Sequence, residues 1–131
     1  MDIRDAVEAD AERMANLTGS PKDVMRNLVH DRTVRVAEEG DEVAGFVSFD
    51  AQNETVHVTQ LEGDPELGAR LLGEPRRFAE REGMSVELLV PQDDENARAA
   101  ADRAEFDEYG PGPQFDGTRT TRYRWGPDGG E

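Results

Sequence analysis

The sequence predicts an α/β domain with a mixed, mostly antiparallel sheet of six to seven strands and about four helices. Three observations carry this. Residues Thr33–Glu38, Val43–Phe49 and Thr55–Leu61 alternate apolar and polar side chains, as half-buried strands do. Segments from Glu8, Ser20, Pro65 and Asp93 instead space their apolar residues at helical period. The segment Ser85–Val90 is nearly all apolar, which suits a central strand covered on both faces.

In chain order, Met1–Ala6 reads as a strand with Ile3 inward, followed by a helix over Glu8–Leu17 that ends at Thr18-Gly19. Ser20 fits an N-cap, Pro21 the first helical position and Asp23 the third residue after the cap. Val24, Met25, Leu28 and Val29 form that helix's apolar stripe, and Asp31-Arg32 closes it. Three strands in a meander follow, with turns at Glu39-Gly40-Asp41 and Asp50-Ala51-Gln52-Asn53.

The next helix starts near Pro65 and carries Leu67, Leu71, Leu72 and Phe78. Pro75 removes an N–H inside it, so a kink or two short helices are expected, ending at Gly83. Pro91 stops the apolar strand. An alanine-rich helix then runs from Asp93-Asp94 to about Ala104. Phe106–Tyr109 is a short strand, Gly110-Pro111-Gly112-Pro113 a loop and Thr118–Trp125 a closing strand. Residues 1–125 form one domain, and residues 126–131 read as a flexible C-terminal tail.

The 131 residues suit a single domain able to bury a core without metals or disulfides. There are no cysteines, which excludes a disulfide scaffold, a thiol nucleophile and a thiolate metal site. His30 and His57 are the only histidines, so no His-rich metal site is expected. No run of apolar residues spans a bilayer, and Met1–Asp5 lacks signal-peptide character, so a cytoplasmic location is expected.

Thirty acidic residues stand against fifteen basic ones, for a net charge of −15, and the acids are spread over every segment. That distribution fits a halophilic protein whose surface repulsion is screened by salt. It also speaks against nucleic-acid and membrane partners, because no basic stripe exists.

The order strand, two helices, three strands, helix, strand, helix, two strands resembles the GCN5-related N-acetyltransferase (GNAT) family over nearly the whole chain. Ile3-Arg4-Asp5-Ala6 with Asp10-Ala11-Glu12 is similar to the family's opening strand and helix. Val43-Ala44-Gly45-Phe46-Val47 resembles its third strand, where a glycine is usual. Phe78-Ala79-Glu80-Arg81-Glu82-Gly83 resembles the end of its cofactor helix, and Asp94 to Phe106 its closing helix and strand.

The resemblance implies transfer of an acetyl group from acetyl-CoA to an amine by direct attack. It implies a V-shaped gap between the fourth and fifth strands for the pantetheine arm, and a homodimer through the final strands. It places the acyl-CoA against Leu61, Gly63, Leu67, Gly68, Ala69, Arg70, Asp94 and Asn96. Amides of residues 67 to 70 would face the pyrophosphate at a helix N-terminus.

The residues depart from the family's pattern at both ends of this site. Glu66 stands where the family has its first glycine and Gly63 where it has Gln or Arg. Like charges about 4 Å apart cost on the order of a few kcal/mol even at an effective dielectric of 20. Pro65 supplies no N–H, and Arg70 is the nearby cation. On the closing helix Ala101 replaces the tyrosine that protonates the leaving thiolate, and Glu105 replaces a glycine. Tyr109 and Tyr123 are the substitutes to place.

Glu62, at the end of the fourth strand, is the candidate general base, with His57 on the same strand. In so acidic a chain, a glutamate is ordinarily a solvated surface group. Arg76-Arg77 reads as a solvated helix face. Two rival readings stand beside the enzyme. One is a catalytically degenerate GNAT-fold module that binds acyl-CoA or another protein. The other is an unrelated α/β interaction domain.

Overall fold

The computed structural model describes residues 1–114 and 117–126. Seven strands form one sheet in the order β1-β2-β3-β4-β5-β7-β6. They are β1 (Asp2–Asp5), β2 (Thr33–Glu39), β3 (Glu42–Gln52), β4 (Thr55–Glu62), β5 (Ser85–Pro91), β6 (Asp107–Pro111) and β7 (Thr120–Trp125). Four helices flank it: α1 (Ala11–Thr18), α2 (Lys22–Asp31), α3 (Pro65–Glu82) and α4 (Glu95–Arg103). Every strand pair is antiparallel except β4 with β5. The tail residues 127–131 lie outside the described residues.

The alternation read in the sequence sorts side chains onto two faces. Val47, Phe49, Val56, Val58, Val86, Leu88 and Val90 meet α3 and α4 in one core. Val34, Val36, Val43 and Phe46 meet Met14 of α1 and Met25 of α2 in another. Full burial of Leu71 and Leu72 on α3 contributes about 2 kcal/mol each. Arg4 pins the start of the chain, donating to both carboxylate oxygens of Asp10 at 2.9 and 3.0 Å. That pairing holds the Asp10 carboxyl below its ordinary range.

Several boundaries differ from the expectation. Glu8–Asp10 is a 3-10 turn, and the α-helix starts only at Ala11. Pro21, not Ser20, is the N-cap of α2. Its ψ of 147° is extended, and its carbonyl accepts the Met25 N–H at 3.2 Å. Val24 is half exposed, because α2 packs through Met25, Leu28 and Val29. Residues Asp50 to Gln52 belong to β3. The chain reverses at Asn53 and Glu54, whose φ values of 52° and 66° fit a tight two-residue hairpin turn.

Pro75 does not divide α3, which runs uninterrupted from Pro65 to Glu82. Leu71 and Leu72 before it and Ala79 after it are buried in the same core, so a break would lift half the helix off the sheet. The last two strands start later than read, at Asp107 and Thr120.

Candidate functional site

β4 carries one extra residue. Ser48 pairs with Gln60 and Phe49 with Val58, which leaves Thr59 as a bulge. The Thr59 hydroxyl lies 2.6 Å from that of Ser48 and fixes the bulge to β3. The parallel pairing of β4 with β5 ends at Val58–Leu88. Beyond that point Thr59–Glu62 and Leu89–Pro91 diverge around a cavity of about 440 Å³. Its wall is completed by Asp94 and Ala97 of α4 and by Thr120 of β7.

Glu62 also lines a second cavity of about 240 Å³, with Leu17, Ala44, Leu61, Gly63, Asp94, Asn96 and Ala97. Burial raises the Glu62 pKa, and the nearby Asp94 carboxylate raises it further. Asp94 is the N-cap of α4, accepting the Ala97 N–H at 3.0 Å. Thus the strand end and the helix start bring two carboxyl groups to one wall.

His57 and Glu87 bring a polar pair to the larger cavity. His57 and Glu87 are cross-strand neighbours, with Nδ1 3.8 Å from Oε1. Arg122 donates to the same Glu87 oxygen at 3.2 Å.

The start of α3 has its own anion. Asp64 is the N-cap, and its carboxylate accepts the Leu67 N–H at 2.8 Å. A small cavity of about 130 Å³ beside it is lined by Met1, Glu39, Asp64, Glu66, Leu67 and Arg70.

Known structures share this architecture. A Desulfovibrio desulfuricans protein assigned to the GNAT family of acetyltransferases matches with a TM-score of 0.73 and 22% identity, covering 95% of this chain and 98% of its own. The ribosomal-protein-alanine N-acetyltransferase of Brucella melitensis matches with a TM-score of 0.78 and 16% identity, covering 96% and 99%. The yncA protein of Salmonella typhimurium, solved with its cofactor acetyl-CoA, matches with a TM-score of 0.76 and 19% identity, covering 98% and 94%. The chain has the GNAT acetyltransferase fold. No protein-family model matches it, and no curated protein matches its sequence.

Within this GNAT fold the residues singled out from the sequence divide into three groups. Leu61, Glu62, Gly63, Asp94 and Asn96 come together around the 240 Å³ cavity. Leu67 and Arg70 line the small cavity at the start of α3. Gly68 and Ala69 line none of these three cavities. A Cβ at Gly68 would stand 2.8 Å from that of Ala100, so this glycine permits close packing of α3 on α4. Ala69 packs against the main core.

His57 lines the larger cavity, but neither tyrosine does. Tyr109 is 59% exposed on β6 beneath Arg124. Tyr123 is buried, and burial followed by Asp102 and Glu108 raises its pKa while Arg98 opposes them. Arg76 and Arg77 are engaged along α3. Arg76 donates to the Ala104 carbonyl at 2.7 Å and stacks 4.8 Å over Trp125, and Arg77 pairs with Glu74.

The structure adds residues that sequence reading did not assign. Glu87, Leu89, Ala97 and Thr120 enter the cavity wall through strand register and the approach of α4. Glu39 reaches the start of α3 from the end of β2. The family's habitual glycine in β3 acquires a local reason. A Cβ at Gly45 would stand 2.4 Å from the Glu62 carbonyl and 2.8 Å from Leu67 Cδ2.

Proposed function

We propose that this protein is an N-acetyltransferase that moves an acetyl group from acetyl-CoA to an amine by direct attack. The observation that carries this reading is the parting of β4 from β5 at the Thr59 bulge. Past Val58–Leu88 the two strands no longer bond to each other, so an extended arm with amide groups finds strand edges ready to pair with it. The apolar wall of Leu61, Leu88 and Ala97 suits the arm's methylene groups.

The acceptor amine enters from the face that carries His57, Gln60 and Glu87. Its nitrogen attacks the thioester carbonyl. A C–N bond forms, the C–S bond breaks and the sulfur leaves as a thiolate. Glu62, with its raised pKa, takes the proton from the attacking nitrogen. Because both tyrosines lie off the cavity wall, water protonates the thiolate. The carboxylates of Glu62, Glu87 and Asp94 favour a cationic amine. The dispersed acidity of the chain supports function in concentrated salt.

The test is donor-dependent thiol release in concentrated potassium chloride, with a panel of primary amines and amino-terminal peptides. Amine-dependent release with an N-acetylated product is expected. Donor binding with no release for any amine would replace the enzyme with a binding module.

A further inference from the structure

The two ends of the donor site differ in kind, and this inference rests on the acyl-thioester reading above. An arm lying along the free edge of β4 from Thr59 to Glu62 leaves the gap beside Gly63 and the start of α3. In acetyl-CoA the group at that point is a diphosphate. A helix N-terminus receives such an anion with unbonded amides and its dipole.

Here those amides are committed. Pro65 has no N–H. Leu67 donates to the Asp64 carboxylate at 2.8 Å, and Gly68 donates to the Asp64 carbonyl at 2.7 Å. Of the residues Pro65 to Gly68, only Glu66 keeps an amide that Asp64 does not take, and its own side chain is anionic.

The neighbouring side chains point the same way. The cavity at this spot gathers the carboxylates of Glu39, Asp64 and Glu66 against the guanidinium of Arg70, with the N-terminal residue Met1 also on its wall. The next cations along α3 are occupied. Arg76 is held by the Ala104 carbonyl and Trp125, and Arg77 by Glu74. The acyl arm therefore fits the gap, and the diphosphate does not fit the helix that should receive it.

We propose that this protein recognises its donor through the acyl-pantetheine arm alone, with Asp64 standing permanently in the anion position of α3. Donors with an uncharged end, or with their phosphate held away from α3 by a carrier, are then accepted about as readily as acetyl-CoA.

The experiment is calorimetric titration of acetyl-CoA and of unphosphorylated S-acetylpantetheine into the folded protein at two potassium chloride concentrations. The same titrations are made on the double variant Asp64→Asn, Glu66→Gly. Asparagine keeps the capping hydrogen bond while removing the charge. In the natural protein the two donors are expected to bind within about 3-fold of each other, with acetyl-CoA affinity rising as salt screens the carboxylates. In the variant, acetyl-CoA gains on the order of 10-fold and S-acetylpantetheine stays unchanged.

Acetyl-CoA binding about 30-fold tighter than S-acetylpantetheine, and weakening with salt, would overturn the inference and leave the acetyltransferase reading intact. Failure of both donors to bind the folded natural protein overturns both.

Discussion

α3 and α4 begin with the same device in different surroundings. Asp64 and Asp94 are both N-caps, each accepting the N–H three residues on, at 2.8 and 3.0 Å. Asp94 stands on the wall of both the 440 and the 240 Å³ cavities and raises the pKa of Glu62. Asp64 stands among Glu39, Glu66 and Arg70 at the start of α3. The cap itself is local and follows from an aspartate before a helical stretch. What its charge does is set by the element that the fold brings opposite.

The largest effect expected on this comparison is from Glu62→Gln. It should lower kcat/KM about 100-fold or more in the thiol-release assay, because the proposed proton acceptor is gone. Asp64→Asn should leave amine attack itself intact, and an equal loss there would show that the two ends are not separate. Next come the caps as structural groups. Asp64→Ala and Asp94→Ala should each cost about 1 kcal/mol in denaturant unfolding.

Smaller is the effect of Asp94→Asn on titration. It keeps the cap and removes a like charge from Glu62, so the acid limb of the kcat profile should move to lower pH. The same substitution at Asp64 should not move that limb.

Stability against pH gives a further check. The folded Glu62 pKa is raised, so the native state holds its proton more tightly than the unfolded chain does. The destabilisation from its charge is absent below the ordinary glutamate range. It appears as pH rises through the folded pKa and persists above it. Glu62→Gln should therefore stabilise the protein near neutral pH and have little effect in acid. Equal stabilities across that range would mean that the carboxylate is as well solvated folded as unfolded.

The element order was readable because each strand and helix keeps its own hydrophobic period. The turn at Asn53-Glu54 was misplaced because its left-handed residues include a glutamate and no glycine. Pro75 misled because the burial of Leu71, Leu72 and Ala79 outweighs one lost N–H. Glu105, read as standing in a glycine's place, has φ 67°, the left-handed backbone that explains the glycine. Gly68 was assigned to phosphate approach, and its Cα instead faces Ala100, a contact set by how α3 crosses α4. Glu39 and Glu87 were invisible as site residues because only strand register brings them there.

The extra residue in β4 also decides a question of parity. Opposite residues share a face, so Leu61 follows Val47 into the α3–α4 core, and Glu62 follows Phe46 to the other side. Val58 lies on the core side as well, three residues before Leu61, which is possible only because Thr59 takes no partner on β3. Without Thr59 the same partners would stand opposite one another in unbroken succession, so Leu61 and Glu62 would keep their faces. What the strand would lose is the local bend and added twist that accompany a bulge. The extra residue is thus an elbow set into the sheet and not a change of frame: it redirects the strand end away from β5 while leaving the acid and the leucine on the sides they already occupy.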